Sequence, residues 1–583
     1  MKLQMQYNTG LFYTAEKNKL VLLSLLKKYD INTVVVSPGA TNVTFVASIQ
    51  HDNFFRMYSC VDERSAAYMA LGIALETKKP VVLSCTGATS SRDYFPALTE
   101  AYYRGVPILV VTSSLSSEFV GHDYPQVTDR EHAPFDMVKK TYVIQNVKDN
   151  NDYWDCIIKS NRALNDLFAK ETGPVHINLE TEYNPDFSVK QLPDVRDIRV
   201  VTFDSFYPKI RHENIVIFIG SHKKISSSLQ KKIESFCESY NAVVLCDHTS
   251  NYYGRYKLNM SLAYAQEQYT SIKIKNFDLI IYLGDITGDY YTARALFSGE
   301  LWRISTDGEI KDRFRNTKYV FKVTDEMFFE HYIADTQVRV ECSHYFILKD
   351  KLNKIVTRIP ELPFSNIWIA QNTAQRIPKG SSIHFGILNS LRAWNFFDLP
   401  EGVTSYCNVG GFGIDGCLSS LIGSSMVDSE KLYFGVFGDL SFFYDMNVLR
   451  NISLGNNLRI LIINNGRGTE FRNYSHTAAI IGKAVDPYIA AAGHFGDQSD
   501  TTIKKFAHSC GFDYFSAQNK MEYMANLEYF ISPKTNGKPI IFEVFTDSDN
   551  ESDALKSISN IVKGGNEKYI KKLKFIIRKF LRK

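Results

Sequence analysis

Short apolar runs alternate with longer amphipathic stretches along most of the chain. Runs of four or five residues rich in Val, Ile and Leu indicate buried strands, and the stretches between them have the spacing of helices. The six clearest runs in the first half of the chain are 33–36, 81–85, 108–112, 215–219, 242–246 and 279–283. This alternation predicts α/β domains with doubly wound parallel sheets.

The pattern divides the chain into three such domains. The first is predicted at 1–190, the second at 197–345 and the third at 365–560, and a short basic tail follows at 561–583. A chain of 583 residues is long enough to give each domain its own hydrophobic core. The fold class predicted from the pattern is therefore α/β, with three doubly wound domains.

The third domain carries the most informative motif. The apolar run at 432–437 predicts a strand, 441–454 a helix, and 459–463 the next parallel strand. Asp439 follows the first of these strands and Asn465 follows the second. Because the carboxyl ends of parallel strands lie at one edge of a sheet, both side chains are expected at the same ligand-binding rim.

These residue types suit a magnesium ion that bridges phosphate groups. Mg²⁺ prefers oxygen ligands, which the Asp439 carboxylate, the Asn465 amide and the backbone carbonyl of Arg467 would provide. The start of the helix at Ser441 would offer free N–H groups to the phosphates. A structural alternative stays open at this point, in which the Asp caps a helix and the Asn lies in a turn.

Two motifs together resemble those of the thiamine diphosphate enzyme family. One is Asp-Glu-Arg-Ser-Ala-Ala-Tyr-Met-Ala-Leu-Gly at 62–72, and the other is Gly438-Asp439-Leu440-Ser441 with Asn464-Asn465. The resemblance implies a pyrimidine-binding first domain, a middle domain and a diphosphate-binding third domain. It also implies thiamine diphosphate and Mg²⁺ as cofactors, with the cofactor held by Gly438, Asp439, Leu440, Ser441, Asn465 and Glu63 and the metal by Asp439, Asn465 and Arg467.

The same resemblance implies a catalytic role for Glu63. In the family a Glu at this position binds the far ring nitrogen of the cofactor's aminopyrimidine and promotes the proton transfer that activates the thiazolium ring. The structural alternative for Glu63 is an acid that stabilises a helix N-terminus. Because Glu63 and Asp439 belong to domains that meet across a subunit boundary in the family, a homodimer or homotetramer is implied.

Within the family the chain resembles the 2-succinyl-5-enolpyruvyl-6-hydroxy-3-cyclohexene-1-carboxylate synthases of menaquinone synthesis. Ser37-Pro38-Gly39, Gly413-Ile414-Asp415-Gly416 and Leu440 match that branch. Thr41, Val409 and Trp394, however, stand where those synthases carry substrate-binding arginines. Each lost arginine removes a two-pronged clamp for a carboxylate. We therefore expect the catalytic part to be kept and the substrate pocket to be rebuilt.

Four further residues are candidates for contacts with substrate or cofactor. Gln126 matches a pocket Gln of those synthases, although a loop Gln is often a surface residue. His122 could donate a proton to an alkoxide, and a lone loop His is also commonly structural. Glu470 follows the metal loop and could move protons on the cofactor adduct, or simply begin a helix. Phe412 lies, within a residue or two, where the family supports the bent cofactor with an apolar side chain.

Composition adds limits to this interpretation. The chain is 44% hydrophobic and 22% charged, and its nine cysteines form no Cys-x-x-Cys pair, so neither a disulfide framework nor a zinc site is indicated. No apolar run is long enough to span a membrane, and the amino terminus lacks a signal sequence, which predicts a cytoplasmic protein. The turns at Gly220 and Gly284 lack a dinucleotide fingerprint, so we expect no flavin or nicotinamide in the middle domain.

The carboxyl tail departs from the rest of the composition. Residues 568–583 contain eight Lys or Arg and no acid, whereas the whole chain has a net charge of only +4. Apolar residues at helical spacing make this a basic amphipathic segment that could lie on an anionic membrane surface. The open alternative is a tail that packs on its own protein. A nucleic-acid partner is not expected, because the basic excess is confined to one terminus.

These observations converge on one predicted function. We expect thiamine diphosphate- and Mg²⁺-dependent decarboxylation of a small 2-oxo acid, such as pyruvate, with ligation of the acyl anion to a second substrate of unknown identity. A simple 2-oxo acid decarboxylase and a catalytically silent cofactor-binding homologue are the alternatives. Retention of Glu63 beside the metal motif argues against the silent homologue, because such a protein needs no proton-relay Glu.

Overall fold

The structure is a computed structural model that describes residues 12–562, apart from 130, 267–275, 335–340, 475, 495–497 and 535–536. The basic tail at 568–583 therefore lies outside the described residues. The chain divides into two compact units, one comprising 1–205 and 308–320 and the other 206–307 and 321–583. Each unit is described by itself below.

The first unit is built on six parallel strands with helices on both faces. Its strands are β1 (Thr33–Val36), β2 (Arg56–Ser59), β3 (Val81–Thr86), β4 (Ile108–Ser114), β5 (Thr141–Ile144) and β6 (Val175–Glu180), and a short β7 (Arg199–Val201) follows. Its helices are α1 (Lys17–Lys28), α2 (Val43–Gln50), α3 (Glu63–Thr77), α4 (Ser90–Asp93), α5 (Phe95–Tyr103) and α6 (Asn150–Leu167). The order across the sheet is β2-β1-β3-β4-β6-β5.

Both faces of this sheet are buried, which explains the continuous apolar runs. Val34 and Val36 of β1 pack in one hydrophobic cluster, and Val35 packs in another on the opposite face. Neighbouring side chains of a strand point to opposite faces, so a strand covered on both sides needs apolar residues at every position. The pattern that predicted these strands is therefore a direct consequence of helices on both sides.

The chain reverses its direction of travel across the sheet between β1 and β3. From β1 it moves outward to β2 and then returns to place β3 on the other side, which creates a crevice at the carboxyl ends. Ser37-Pro38-Gly39 follows β1 at this crevice. A Cβ on Gly39 would lie 1.9 Å from Cγ2 of Thr86, at the end of β3, so only glycine allows this approach.

The second unit contains two parallel sheets. The strands of the first are β8 (Ile215–Ile219), β9 (Val243–Cys246), β10 (Lys257–Leu258), β11 (Leu279–Leu283) and β12 (Glu300–Ile304), in the order β10-β9-β8-β11-β12. The helices around it are α7 (Ser227–Tyr240) and α8 (Ser261–Ala265). Then come β13 (Thr317–Phe321), at the boundary of the two units, and α9 (Asp325–Ala334) and α10 (Ser343–Val356).

The two glycine turns of this sheet pack against each other. Gly220 N–H donates to the Leu283 carbonyl at 3.0 Å, and Asp285 N–H donates to the Ser221 carbonyl at 2.7 Å. A Cβ on Gly220 would lie 2.1 Å from the Asp285 carbonyl oxygen. The glycines at the ends of β8 and β11 thus have a packing role.

The last sheet has six parallel strands. They are β14 (Ser382–Phe385), β15 (Thr404–Cys407), β16 (Tyr433–Gly438), β17 (Leu458–Asn464), β18 (Asp513–Ala517) and β19 (Ile540–Phe545). The helices are α11 (Asn366–Thr373), α12 (Asn389–Trp394), α13 (Cys417–Ser425), α14 (Asp439–Asp445), α15 (Thr477–Ile481), α16 (Asp486–Ile489), α17 (Thr502–Ser509), α18 (Lys520–Ile531) and α19 (Ser548–Ile558). The order β15-β14-β16-β17-β19-β18 repeats that of the first unit and places its reversal between β14 and β16.

The fold-class prediction is confirmed, since three parallel α/β sheets are present; the exact domain boundaries stay predictions. The helix predicted at 441–454 is wrong in length. Helix α14 ends at Asp445, and a 3-10 turn at Met446–Arg450 follows. The Asp445 carboxylate binds the N–H and hydroxyl of Ser419, both at 2.6 Å, and the Asn and Ser residues beyond it favour turns over helix.

Two expectations from composition can be compared with the structure. None of the nine cysteines, all of which lie in the described part of the chain, is in a disulfide bond. Within the described part of the chain, no helix is long and apolar enough to cross a membrane.

Candidate active site

A cavity of about 190 Å³ lies at the reversal point of the last sheet. Its wall is formed by 386–388 after β14, by 438–441 after β16 and by residues that follow β17. The structure thereby brings together most of the residues predicted for the cofactor and metal. Those that line the cavity are Gly438, Asp439, Leu440, Ser441, Asn465, Arg467 and Glu470.

The strand register explains why the two predicted metal ligands converge. Gly438 of β16 pairs with Ile463 of β17, so Asp439 and Asn465 leave the sheet at the same level. Asp439 is only 3% exposed. Its neighbour Asn464 is directed elsewhere, since its side-chain N–H donates to Glu543 Oε1 at 2.6 Å. Asn465 is therefore the member of the Asn-Asn pair that faces the cavity.

The donor set fits a magnesium ion. Asn465 Oδ1 is buried and has no hydrogen-bond partner among the described residues. A buried acceptor without a partner costs about 1–3 kcal/mol, and a cation bound there would relieve this cost. The backbone carbonyl of Arg467 accepts only a long bond of 3.4 Å, from Thr469 Oγ1. Carboxylate, amide and carbonyl oxygens around one cavity are the ligand types that Mg²⁺ prefers.

Ser441 links the start of α14 to the loop before α13. Its hydroxyl donates to the Ile414 carbonyl at 2.6 Å, and Ile414 itself lines the cavity. Phe412 has a positive φ of 59° and contacts the ring of Tyr290 at 6.0 Å between centroids. Phe412 is not among the residues that line this cavity, so Ile414, two positions further on, is the apolar side chain of this loop that faces it.

Glu470 is ion-paired. Its carboxylate contacts the guanidinium of Arg392 on α12, through both Nη2 and a longer bond of 3.4 Å from Nη1. The side-chain N–H of Asn473 also donates to Glu470 Oε2 at 3.0 Å, and Arg392 further binds Asn389 Oδ1. Burial alone would lower the pKa of Arg392, but the Glu470 carboxylate outweighs burial and raises it.

A buried aspartate holds the loop that carries Asn465. Asp486 is 3% exposed and lies 2.9 Å from Nη1 of Arg467 and 2.7 Å from Nη2 of Arg472. The same segment is tied by its backbone, because Gly468 N–H donates to the Ala490 carbonyl at 2.7 Å. One carboxylate thus pairs with two arginines and holds this loop, and the three side chains together keep a net positive charge.

A second buried carboxyl, Glu551 on α19, also lines the cavity. Its Oε1 accepts hydrogen bonds from the backbone N–H of Asn366 at 2.9 Å and from Thr546 Oγ1 at 2.7 Å. Burial, the largest effect, raises the pKa of Glu551 to about 7, although these two hydrogen bonds oppose the change; the Asp547 charge adds to it. Glu551 is the cavity group whose charge state changes near neutral pH.

The predicted catalytic Glu63 lies in the first unit, as the first residue of α3. The cap of this helix is its neighbour, because the Asp62 carboxylate accepts the Ser65 N–H at 2.7 Å. That hydrogen bond lowers the pKa of Asp62. Asp62 is therefore the cap, and Glu63 is half-buried in the first turn, where an acid also stabilises the helix N-terminus, so the structural alternative for Glu63 stays open.

The two loop candidates are both exposed. His122 and Gln126 lie in the connection between β4 and β5, and Gln126 adopts a positive φ of 63°. Phe119 and Tyr124 stack in the same loop with centroids 4.5 Å apart. Their roles stay predictions, since the first unit by itself gives neither residue a buried partner.

Sequence reasoning missed three residues of this site. Arg392 was missed because the comparison with the related synthases concerned position 394. Trp394 is buried, and its ring N–H donates to Asn366 Oδ1 at 3.3 Å. Asp486 and Glu551 lie outside every motif, 21 and 86 residues beyond Asn465 (486 − 465 and 551 − 465). The sequence does show that these two positions are acidic. It does not show that their side chains are directed toward the cavity or the loop beside it.

Comparison with known proteins finds one matching family model and several similar enzymes. The model of the thiamine pyrophosphate enzyme N-terminal TPP binding domain matches residues 19–133. This match, the three parallel sheets and the relatives named next place the chain in the thiamine diphosphate enzyme superfamily.

The relatives give a narrower position within that superfamily. The chain is 28% identical to a 2-succinyl-5-enolpyruvyl-6-hydroxy-3-cyclohexene-1-carboxylate synthase of Phocaeicola vulgatus, over 95% of this chain and 100% of the relative. Enzymes of the same name from Bacteroides fragilis, at 29% identity, and Flavobacterium johnsoniae, at 26%, match 93% and 92% of the chain and 98% and 97% of their own lengths. The chain is a superfamily member close to these synthases.

Proposed function

We propose that the protein decarboxylates a small 2-oxo acid with thiamine diphosphate and Mg²⁺ and ligates the resulting acyl anion to a second substrate. The observation that carries the proposal is the convergence of Asp439 and the unpaired Asn465 Oδ1 on one cavity at the reversal point of a parallel sheet. Names of the relatives favour a synthase, in which two substrates are joined, over a simple decarboxylase.

Different residues would bind different parts of the cofactor. Asp439, Asn465 and the Arg467 carbonyl would hold Mg²⁺, and Gly438 to Ser441 would surround the diphosphate. When bound, thiamine diphosphate supplies the electron sink that stabilises the carbanion left by loss of carbon dioxide. Glu63 would hold a proton at the ring nitrogen of the aminopyrimidine, and its side chain is not the one that caps α3.

The proposed donor is a small acid such as pyruvate, and the acceptor is unidentified. Support comes from Thr41, Val409 and Trp394, none of which can bind a carboxylate as an arginine does. Because Glu63 and Asp439 meet across a subunit boundary in the family that the chain resembles, we also propose that the active form is a homodimer or homotetramer. Light scattering of the purified protein, with and without cofactor, measures that state.

Calorimetric titration with thiamine diphosphate, with and without Mg²⁺, tests the cofactor site. We expect binding that requires Mg²⁺, followed by carbon dioxide release from one member of a panel of 2-oxo acids. Analysis of products with and without candidate acceptors then distinguishes a ligase from a decarboxylase that releases an aldehyde. Absence of cofactor binding, in protein shown to be folded by circular dichroism, would overturn the proposal.

A further inference from the structure

Glu470, with Arg392 beside it, forms one wall of the cavity, where a smaller cavity adjoins it. Glu470 lines the main cavity, whereas Arg392 lines a small adjoining cavity that shares Asn366, Asn389 and Thr469 with it. Both side chains are mostly buried, at 14% exposure for Arg392 and 24% for Glu470. Glu470 therefore presents its carboxylate to the space in which a substrate would lie and holds the guanidinium beside it.

Both oxygens of the Glu470 carboxylate accept hydrogen bonds. Nη2 of Arg392 contacts Oε2, Nη1 reaches Oε1 at 3.4 Å, and Asn473 donates to Oε2 at 3.0 Å. A guanidinium with a carboxylate across its fork has its charge cancelled and its donors directed at that partner. Arg392 is thus unable to clamp a substrate carboxylate while Glu470 is present.

The other arginine at the cavity is also ion-paired, to a carboxylate that it shares with Arg472. Arg467 lies 2.9 Å from the buried Asp486 carboxylate. The remaining charged groups of the lining, Asp439 and Glu551, are acids. Among the residues described for this cavity, no guanidinium or ammonium is left without a carboxylate partner. A donor whose acyl chain ended in a carboxylate would meet no unpaired cation among these residues and would lose its hydration.

We propose that Glu470 determines donor specificity by neutralising Arg392, so that the pocket takes 2-oxo acids whose acyl chain is uncharged and rejects those with a distal carboxylate. This inference rests on the proposed function and defines its substrate class. Glu470 affects donor binding indirectly, because it neutralises the positive charge of Arg392. The arginines replaced at Thr41, Val409 and Trp394 no longer bind a substrate carboxylate. Arg392 is still present at this wall, and its ion pair with Glu470 explains why it does not bind one either.

The test compares the wild type with Glu470→Gln, which keeps the shape of the side chain and leaves the Arg392 charge uncompensated. Carbon dioxide release is measured with pyruvate and with 2-oxoglutarate. We expect the ratio of kcat/KM values to move toward 2-oxoglutarate by about tenfold or more, mainly through KM. The double variant Arg392→Gln/Glu470→Gln, which has no charge on this wall, should return the ratio to the wild-type side.

A binding measurement makes the test independent of turnover. The cofactor-free proteins are titrated with glutarate, a dicarboxylate that cannot react, in a calorimeter. Glu470→Gln should bind glutarate more tightly than the wild type or the double variant, and Glu430→Gln, on an exposed loop, should behave as the wild type.

The outcomes separate this inference from the proposed function. An unchanged donor ratio and unchanged glutarate affinity in folded Glu470→Gln would overturn the inference while leaving the enzyme activity established. An equal fall in kcat for both donors would also overturn it, because that is the signature of a proton-transfer role. If no 2-oxo acid is turned over, the proposed function fails, and the glutarate titration still decides whether Glu470 masks Arg392.

Discussion

The buried Glu551 should make the stability of the cofactor-free protein depend on pH in an unusual direction. Its pKa is raised from an ordinary value of 4.5 to about 7, chiefly because the carboxyl is buried. Between these two values the folded protein holds a proton that the unfolded chain has released. The folded state binds more protons in this window, so the free energy of unfolding falls as the pH rises from about 4.5 to 7.

The size of the effect follows from the shift. One pKa unit corresponds to about 1.4 kcal/mol, so a shift from 4.5 to about 7 corresponds to a loss of about 3 kcal/mol that is complete above pH 7. Hydrogen bonds from Asn366 N–H and Thr546 Oγ1 already oppose the shift and are included in it. The charges that face this group are Asp547, which adds to the effect, and the Arg392–Glu470 pair across the adjoining cavity.

Glu551→Gln removes the titration and keeps the hydrogen bonds. The amide oxygen can accept from Asn366 and Thr546 as the carboxylate does, and no charge is buried at high pH. We expect the variant to match the wild type near pH 5 and to exceed it by up to about 3 kcal/mol at pH 8. Denaturant midpoints of the cofactor-free proteins, measured at intervals of half a pH unit, give this difference.

Asp549→Asn, on the exposed side of the same helix, is the matched control. Its surface ion pair with Lys483 at 3.2 Å should contribute little, so its difference from the wild type should be small. The reasoning would be refuted if the difference between Glu551→Gln and the wild type stayed constant from pH 5 to 8. It would equally be refuted if the variant were less stable than the wild type at pH 8.

Four further outcomes follow from the site. Glu63→Gln should lower turnover by about 100-fold or more with cofactor affinity retained, while Glu76→Gln on the exposed side of α3 should not; unchanged turnover of Glu63→Gln would exclude the proton role. Asp439→Ala should abolish Mg²⁺-dependent cofactor binding in calorimetry, while Asp428→Ala on an exposed loop should not, and retained affinity of Asp439→Ala would refute the metal assignment. Asp486→Asn should leave two arginines without their counter-charge, lower the free energy of unfolding by about 3 kcal/mol and raise the Mg²⁺ concentration needed for half-saturation; an unchanged Mg²⁺ requirement would mean that Asp486 does not position the loop. Deletion of 568–583 should reduce sedimentation with anionic vesicles without loss of catalysis, and unchanged sedimentation would remove the membrane hypothesis.

The strands were predictable because their environment leaves few choices. Helices cover both faces of β1, β8 and β11, so each is a continuous apolar run, and the predicted bounds 33–36, 215–219 and 279–283 agree with the structure. The rim was predictable for the same reason, since parallel strands fix where Asp439 and Asn465 emerge. Helix α14 was less predictable, because its end depends on the Asp445–Ser419 contact between residues that no local pattern connects.

The ion pair in the pocket could not be predicted, because its two residues are far apart in the sequence. Glu470 was a candidate because it follows the metal loop, but its partner Arg392 lies 78 residues away and three residues after Asn389. Nothing in the local pattern distinguishes a Glu that moves protons from one that neutralises an arginine. The roles of Gln126 and His122 are equally hard to predict from sequence. Both lie on an exposed loop, and the role of such a residue depends on the group that it contacts.

The strand register, more than the partners of the acids around this rim, decides which carboxylate can bind the metal. Glu470 is paired with Arg392, Asp486 with Arg467 and Arg472, and Glu551 is protonated up to about pH 7 by its burial. A divalent cation beside the unpaired Asn465 Oδ1 requires a carboxylate at the same height of the sheet. Asp439 is the acid that the β16–β17 register places there. A metal bound through Asp439 would leave the other three acids to their present partners, so loss of Mg²⁺ should alter cofactor affinity without disturbing the Arg392–Glu470 pair.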